Sequence, residues 1–212
     1  MGVKERRERE KSETRDKILD AARELFVTEG YDGVSMRRVA EKIEYSPTAI
    51  YLHFADKDEL FRELCHQDFG KLAEVFQEYA RIPDPMERIR KTGLAYIEFG
   101  LRFPNHYKLM FMTPHASVAP SECDEEIRGN PERDAYAFLK YSVQEAIGRG
   151  LLRDGLDDAE LISQTLWAAV HGVISLQIAK SQDYWVEWRG LDDRAGVMLD
   201  SMLRGILREN RV

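Results

Sequence analysis

Residues 35–57 read SMRRVAEKIEYSPTAIYLHFADK. Two short helices and a three-residue turn are legible in this stretch, and they decide the fold. Ser35 offers a hydroxyl to the unpaired amides of a helix start, and Val39, Ala40 and Ile43 then recur on one face of Met36 to Ile43. Glu44-Tyr45-Ser46 breaks that face. Ser46 caps a second helix, Pro47 to Phe54, with proline at the first position, where its missing N–H leaves nothing unpaired. Two helices at this spacing make a helix-turn-helix, whose second helix can lie in the major groove of DNA. Ala40 is small where the helices would cross. Ser46, Thr48 and Ala49 are small or polar at the start of the second helix, where base edges would be met. Tyr51, His53 and Lys57 carry donors suited to phosphate. The other reading of these residues is a plain helical hairpin with solvated charges.

Outward from this stretch, the pattern stays helical. Ile18, Leu19, Ala22, Leu25 and Phe26 form one apolar face upstream, and Gly30 is expected to end that helix. Residues 1–12 mix basic and acidic side chains and read as a charged arm, frayed or helical. Downstream, Asp56 caps a long helix with Leu60, Phe61, Leu64, Phe69, Leu72 and Phe76 expected inward, ending before Pro83 and Pro85. Helices are then expected at Met86 to Phe103, Tyr107 to Met112, Glu132 to Gly148, Ala159 to Lys180 and Asp193 to Glu209, with a loop over 113–131. The expected architecture is all-α, about nine helices and no strand. A helix-turn-helix domain over 13–64, its motif at about 35–54, precedes a helical domain over 65–212.

Composition agrees with this and narrows the function. The chain has 212 residues, 43% hydrophobic and 33% charged, ample for a buried core without disulfide or metal staples. Net charge is −7, which excludes a bulk polyanion binder but not a local DNA patch. The first 62 residues carry 13 basic and 14 acidic side chains, so the acidity sits mainly downstream. Cys65 and Cys123 form no CxxC or Cys/His cluster, so no zinc or other metal site is expected. They could pair, although thiols in a reducing compartment are the preferred reading. No apolar leader opens the chain and no uninterrupted apolar run of about 18 residues occurs, so a cytoplasmic protein without a membrane span is expected.

The stretch Thr14 to Leu64 resembles the DNA-binding domain of TetR-type transcriptional regulators. The resemblance rests on Ala22-x-x-Leu25-Phe26, Gly30-Tyr31, Ser35, Val39-Ala40, Tyr51-x-His53-Phe54 and Lys57-x-x-Leu60. Pro47-Thr48-Ala49 departs from relatives that carry glycine or lysine there, which bears on sequence preference and not on fold. The resemblance implies a homodimer that binds a double-stranded DNA operator and answers to a small-molecule effector, most often as a repressor. It places Arg37 and Arg38 near the DNA backbone, Thr48 and Ala49 at base-reading positions, and Tyr51, His53 and Lys57 in a phosphate clamp. Ser35, Ser46 and Pro47 complete the expected DNA-binding set. No cofactor is implied.

The downstream half carries two further candidate sets. Phe99, Phe103, Tyr107, Met110, Phe111, Phe138, Tyr141, Trp167 and His171 mix aromatic surface with polar tips, as an effector pocket between helices would. Packed core is the competing reading of each. Trp167 with His171-Gly172 also resembles a regulator subgroup with a Trp…His-Gly motif. The last two helices carry Leu166, Ala169, Gly172, Val173 and Leu176, then Met198, Leu199, Met202, Leu203 and Ile206. In relatives two such helices pair with their mates in a four-helix dimer interface, and intramolecular packing is the alternative. No Ser-His-Asp order, Gly-rich phosphate loop or HExxH occurs, so an enzyme is not expected. A helical adaptor that has lost its DNA or ligand response is the competing function.

Overall fold

The computed structural model describes residues 2–114 and 122–208. Among them are ten helices and no strand, with one isolated bridge between Leu152 and Leu207. The described residues divide into two compact units, 2–68 with 105–114 and 69–104 with 122–208.

The first unit holds α1 (Val3–Gly33), α2 (Met36–Lys42), α3 (Pro47–Tyr51), the first half of α4 (Lys57–Gln77) and nearly all of α6 (Pro104–Phe111). The charged arm is helical and continuous with α1. Gly30 breaks α1 at φ +74°, a left-handed conformation open to glycine, but one more helical turn, Tyr31–Gly33, follows before Val34. Ser35 Oγ accepts from Arg38 N at 3.3 Å and Ser46 Oγ from Ala49 N at 3.2 Å, so both serine caps form. The turn between α2 and α3 needs Glu44 at φ 61°. Asp56 Oδ1 accepts from Glu59 N while Glu59 Oε2 accepts from Ala55 N, a reciprocal cap that starts α4. The core gathers Ile18, Ala22 and Phe26 of α1, Val39 and Ala40 of α2, Ile50, Phe54, and Leu60 and Leu64 of α4. Leu109 of α6 is fully buried in the same cluster.

Two expectations change here. The second motif helix ends at Tyr51 rather than Phe54, because the chain must turn at once to bring Phe54 into the core. Leu52 is left 75% exposed. Phe69, expected inward, is 42% exposed.

The second unit is a bundle of α5 (Pro85–Arg102), α8 (Ala135–Gly148), α9 (Ala159–Lys180) and α10 (Leu191–Ile206), with the end of α4 and the short α7 (Glu122–Ile127). The expected loop over 113–131 thus contains one short helix; its residues 115–121, the Cys123 side chain and Glu209 lie outside the described residues. α5 packs on α8, α9 and α10, and α9 on α8 and α10. Gly93 makes the close approach possible: a Cβ there would meet Leu199 Cδ2 at 2.9 Å and Val170 Cγ1 at 3.3 Å. Arg88, 4% exposed, donates to Ser142 Oγ at 2.9 Å and to the Ile82 carbonyl at 3.0 Å and pairs with Glu145, so its buried charge is fully met. That pairing holds the Glu145 carboxyl below the usual range. By length and composition α9 is apolar enough to cross a membrane, and only 28% of its most apolar window is buried.

Candidate nucleic-acid interface

Burial sorts the motif residues by task. Ile50 and Phe54 are sunk in the core and fix α3 from behind. Ser46, Pro47 and Thr48 are exposed, Ala49 is half-buried, and Tyr51 keeps 54% of its surface open. An exposed tyrosine on a five-residue helix is not there for packing, and its hydroxyl remains available to a partner. Ser35 is exposed and spends its hydroxyl on the α2 cap, as Ser46 does on α3, so both contribute position before contact.

Arg37 and Arg38 are exposed but engaged. Arg37 Nε pairs with Glu41 at 2.9 Å one turn on, and Arg38 pairs with Glu29, which pushes its pKa up further. Such exposed pairs are weak and exchange readily for a phosphate. Lys57 is the more committed residue. Its ammonium donates to the Tyr31 carbonyl at 3.0 Å and sits 4.1 Å from the Tyr31 ring centroid. It therefore ties α4 to the end of α1, and only its remaining N–H groups can reach DNA. His53 is half-buried, and burial with the nearby cations Lys11 and Arg15 lowers its pKa. Nδ1 of this neutral ring is buried without a partner, which leaves Nε2 as the donor side.

Sequence reading missed the buried network beneath this surface. Asp68, fully buried, accepts from Arg23 Nη2 at 3.0 Å and Nε at 3.1 Å and meets His106 Nδ1 at 2.7 Å. It links α1, α4 and α6 inside the first unit. A buried Arg–carboxylate fork has no local signature, because its partners lie 45 residues apart.

The nine expected effector residues do not all behave alike. Tyr107, Met110 and Phe111 belong to the first unit and the other six to the second. The rings of Tyr107 and Phe111 pack tilted with centroids 4.9 Å apart, as do those of Phe99 and Phe103 at 5.4 Å. Phe138 packs on Phe76 instead. Tyr141 is 49% exposed and lies under the Arg88 guanidinium at 5.5 Å. Trp167 and His171 do come together, through a residue not foreseen. Trp167 Nε1 donates to Tyr96 Oη at 3.1 Å, and Tyr96 Oη lies 3.1 Å from His171 Nδ1. The chain of bonds runs in one sense if Tyr96 donates to His171, which puts the histidine proton on Nε2. Burial lowers the His171 pKa, in keeping with a neutral ring.

The expected dimer residues also divide. Leu166, Leu199 and Leu203 are at most 7% exposed, and Met202 and Ile206 pack on the same core as Leu166 and Leu203. The apolar surface of the three leucines is thus covered within their own bundle, whereas Met202 and Ile206 stay half-buried. Ala169, Gly172, Val173 and Met198 are half-buried. Leu176 is 48% exposed and continues a stripe through Leu161, Thr165, Ala168 and Gly172 on α9, and Val197 of α10 is 69% exposed.

Comparison with known proteins joins this geometry to a family. Residues 18–64 match the family described as bacterial regulatory proteins, tetR family, and residues 89–203 match the tetracyclin repressor-like C-terminal domain. The HTH-type transcriptional repressor AcnR of Corynebacterium jeikeium is 44% identical over 64 residues, 30% of this chain and 34% of that protein. The match spans about a third of the length of the AcnR relatives. The HTH-type transcriptional regulator AcrR of Shigella flexneri is 34% identical over 170 residues, 78% of this chain and 77% of that protein. The solved structure of a TetR family transcription regulator from Marinobacter aquaeolei VT8 superposes with a TM-score of 0.76 at 15% identity, covering 97% of this chain and all of that one. The two matches together cover both the helix-turn-helix and the bundle, and the chain belongs to the tetR family of bacterial regulatory proteins.

Proposed function

We propose that the protein is a dimeric transcriptional repressor of the cytoplasm that leaves a palindromic DNA operator when a small molecule binds its second unit. The observation that carries this is the two-sided α3: Ile50 buried, with Thr48, Tyr51 and the cap residue Ser46 exposed. Support for repression comes from relatives whose names call them repressors. Support for dimerisation comes from the apolar stripe of Leu161, Ala168, Gly172 and Leu176, which a lone protomer leaves in water. The Tyr96–Trp167–His171 cluster supports an effector site in the second unit, because mutually bonded polar tips amid aromatics are what orient a mostly apolar ligand.

Two recognition helices in a dimer must lie about 34–36 Å apart, or a multiple, to enter successive major grooves. An effector that binds one spacing better than the other shifts the population between them. The chain passes from the first unit into the second within α4, at residues 68–69. The test is selection from a random duplex library. A consensus with two-fold symmetry and half-sites about one helical turn apart, bound by a dimer, is expected. Enrichment of no sequence over the starting library would overturn the proposal.

A further inference from the structure

We infer that the first four turns of α1 are a second DNA contact, in which Lys4, Arg7, Lys11 and Arg15 grip the phosphate backbone beside the recognition helix. This rests on the DNA-binding reading above and extends it to a surface outside the helix-turn-helix.

Helical phase sorts the charges of α1. At 3.6 residues per turn these four positions fall within an arc of about 80°. The same arc holds Ile18, Ala22 and Leu25, the face α1 buries against the motif helices. The basic stripe therefore prolongs the buried face past the point where there is protein to pack on. Glu5, Glu10, Glu13 and Asp16 lie on the remaining circumference, and Glu8, at the edge of the arc, lines one shallow depression together with Lys4, Arg7 and Lys11.

Pairing follows the same division. On the outer faces Arg6 meets Glu10 at 2.7 Å and Arg9 meets Glu13 at 3.6 Å, each one turn apart. On the inner arc Lys4, Arg7 and Lys11 are exposed and make no ion pair among the described residues. Like charges stacked at such spacings oppose helix formation, so the arrangement costs stability in the free protein. An anionic partner on that face removes the cost. The direction of the stripe says which partner. Arg15 lies with its guanidinium 4.8 Å from the ring centroid of Phe54, the residue after His53, while it pairs with Glu63 at 3.0 Å. Lys11 and Arg15 are also near enough to lower the His53 pKa. The stripe is thus continuous with the phosphate-facing residues of the motif, and duplex DNA is the polyanion that lies there.

The test compares two variants of the full chain on the selected operator and on random duplex. One is Lys4→Gln/Arg7→Gln/Lys11→Gln, and the other is Arg6→Gln/Arg9→Gln with Lys17→Gln as an equal loss of charge on the outer faces. The inner variant is expected to flatten the plot of log affinity against log salt by about 0.9 for each phosphate no longer neutralised, or ~2.7 per protomer. It should weaken operator and random DNA alike and leave the selected consensus unchanged, with melting temperature equal to or above wild type. The outer variant should change the slope by less than half as much. Equal slopes for the two variants, or an inner variant indistinguishable from wild type while Tyr51→Phe still weakens binding, would overturn the stripe and leave the motif reading standing. A wild-type chain without affinity for any duplex would overturn both.

Discussion

Thr48 and Tyr51 share one turn of α3, yet their loss is expected to read out differently. Tyr51 is exposed with a hydroxyl on a long lever, suited to phosphate, which carries no sequence information. Tyr51→Phe should therefore weaken operator and random DNA by the same factor. Thr48 opens the helix, where base edges lie, and its hydroxyl can bond a base donor or acceptor. Thr48→Val should shift the selected consensus at one or two positions, each worth roughly 1–3 kcal/mol of discrimination, while random-DNA affinity holds. A fixed consensus would move base reading to another residue. A third residue reports on stability. Lys140, Tyr136 and Gln164 all bond Glu160 and pull its carboxyl from 4.5 down to about 2. A carboxyl depressed on folding stabilises above its ordinary value and loses that contribution as pH falls toward the depressed one. Wild type should thus lose stability across that acid window more steeply than Glu160→Gln, read from denaturation midpoints at successive pH values. Parallel profiles would mean that the Glu160 bonds do not persist in solution.

Elements divide into those whose reason is local and those whose reason is distant. The helix-turn-helix is legible in the sequence because caps, a proline and an apolar period all lie within twenty-odd residues. α9 is legible to the residue for the same reason, being bounded by the Asp158 cap. The length of α3 is not, because its end is set by where Phe54 must go to reach the core. Within the dimer set, Leu166, Leu199 and Leu203 share the periodicity of an interface but are buried in their own bundle. Periodicity finds an apolar face; it does not say whether the cover is the same chain or another. Here exposure decides, and it gives opposite expectations for two leucines. Leu176→Glu puts a charge into the open stripe and should yield folded monomers by sedimentation, with the melting temperature lowered only by the missing association. Leu199→Ala opens a cavity against Gly93 and should cost about 2–5 kcal/mol with the dimer retained near neutral conditions. Dimeric Leu176→Glu would place the interface elsewhere.

Across the whole molecule the proposed function is a coupling between two sites, and coupling is reciprocal. Whatever factor an effector takes from DNA affinity, DNA must take from effector affinity. Reciprocity offers a way to find the effector and to test the Tyr96–Trp167–His171 cluster together. A compound that binds the folded second unit raises the melting temperature, by about 2.7 kcal/mol of stabilisation at a hundred times its Kd. A panel of small apolar compounds, neutral and cationic, screened by melting temperature should yield binders, and those that bind one dimer spacing better should also release the operator. Adding operator should weaken the same binders by the factor they exert on it. His171→Leu and Tyr96→Phe remove polar tips while keeping volume, so both should lose the melting shift and the release together and keep the operator affinity of the unliganded protein. Trp167 is 37% exposed and donates to Tyr96, so Trp167→Phe should behave like Tyr96→Phe and fold normally. If these variants instead lose operator binding and stability while compounds still shift the melting temperature, the cluster is a structural strut of the bundle, and the effector binds away from it.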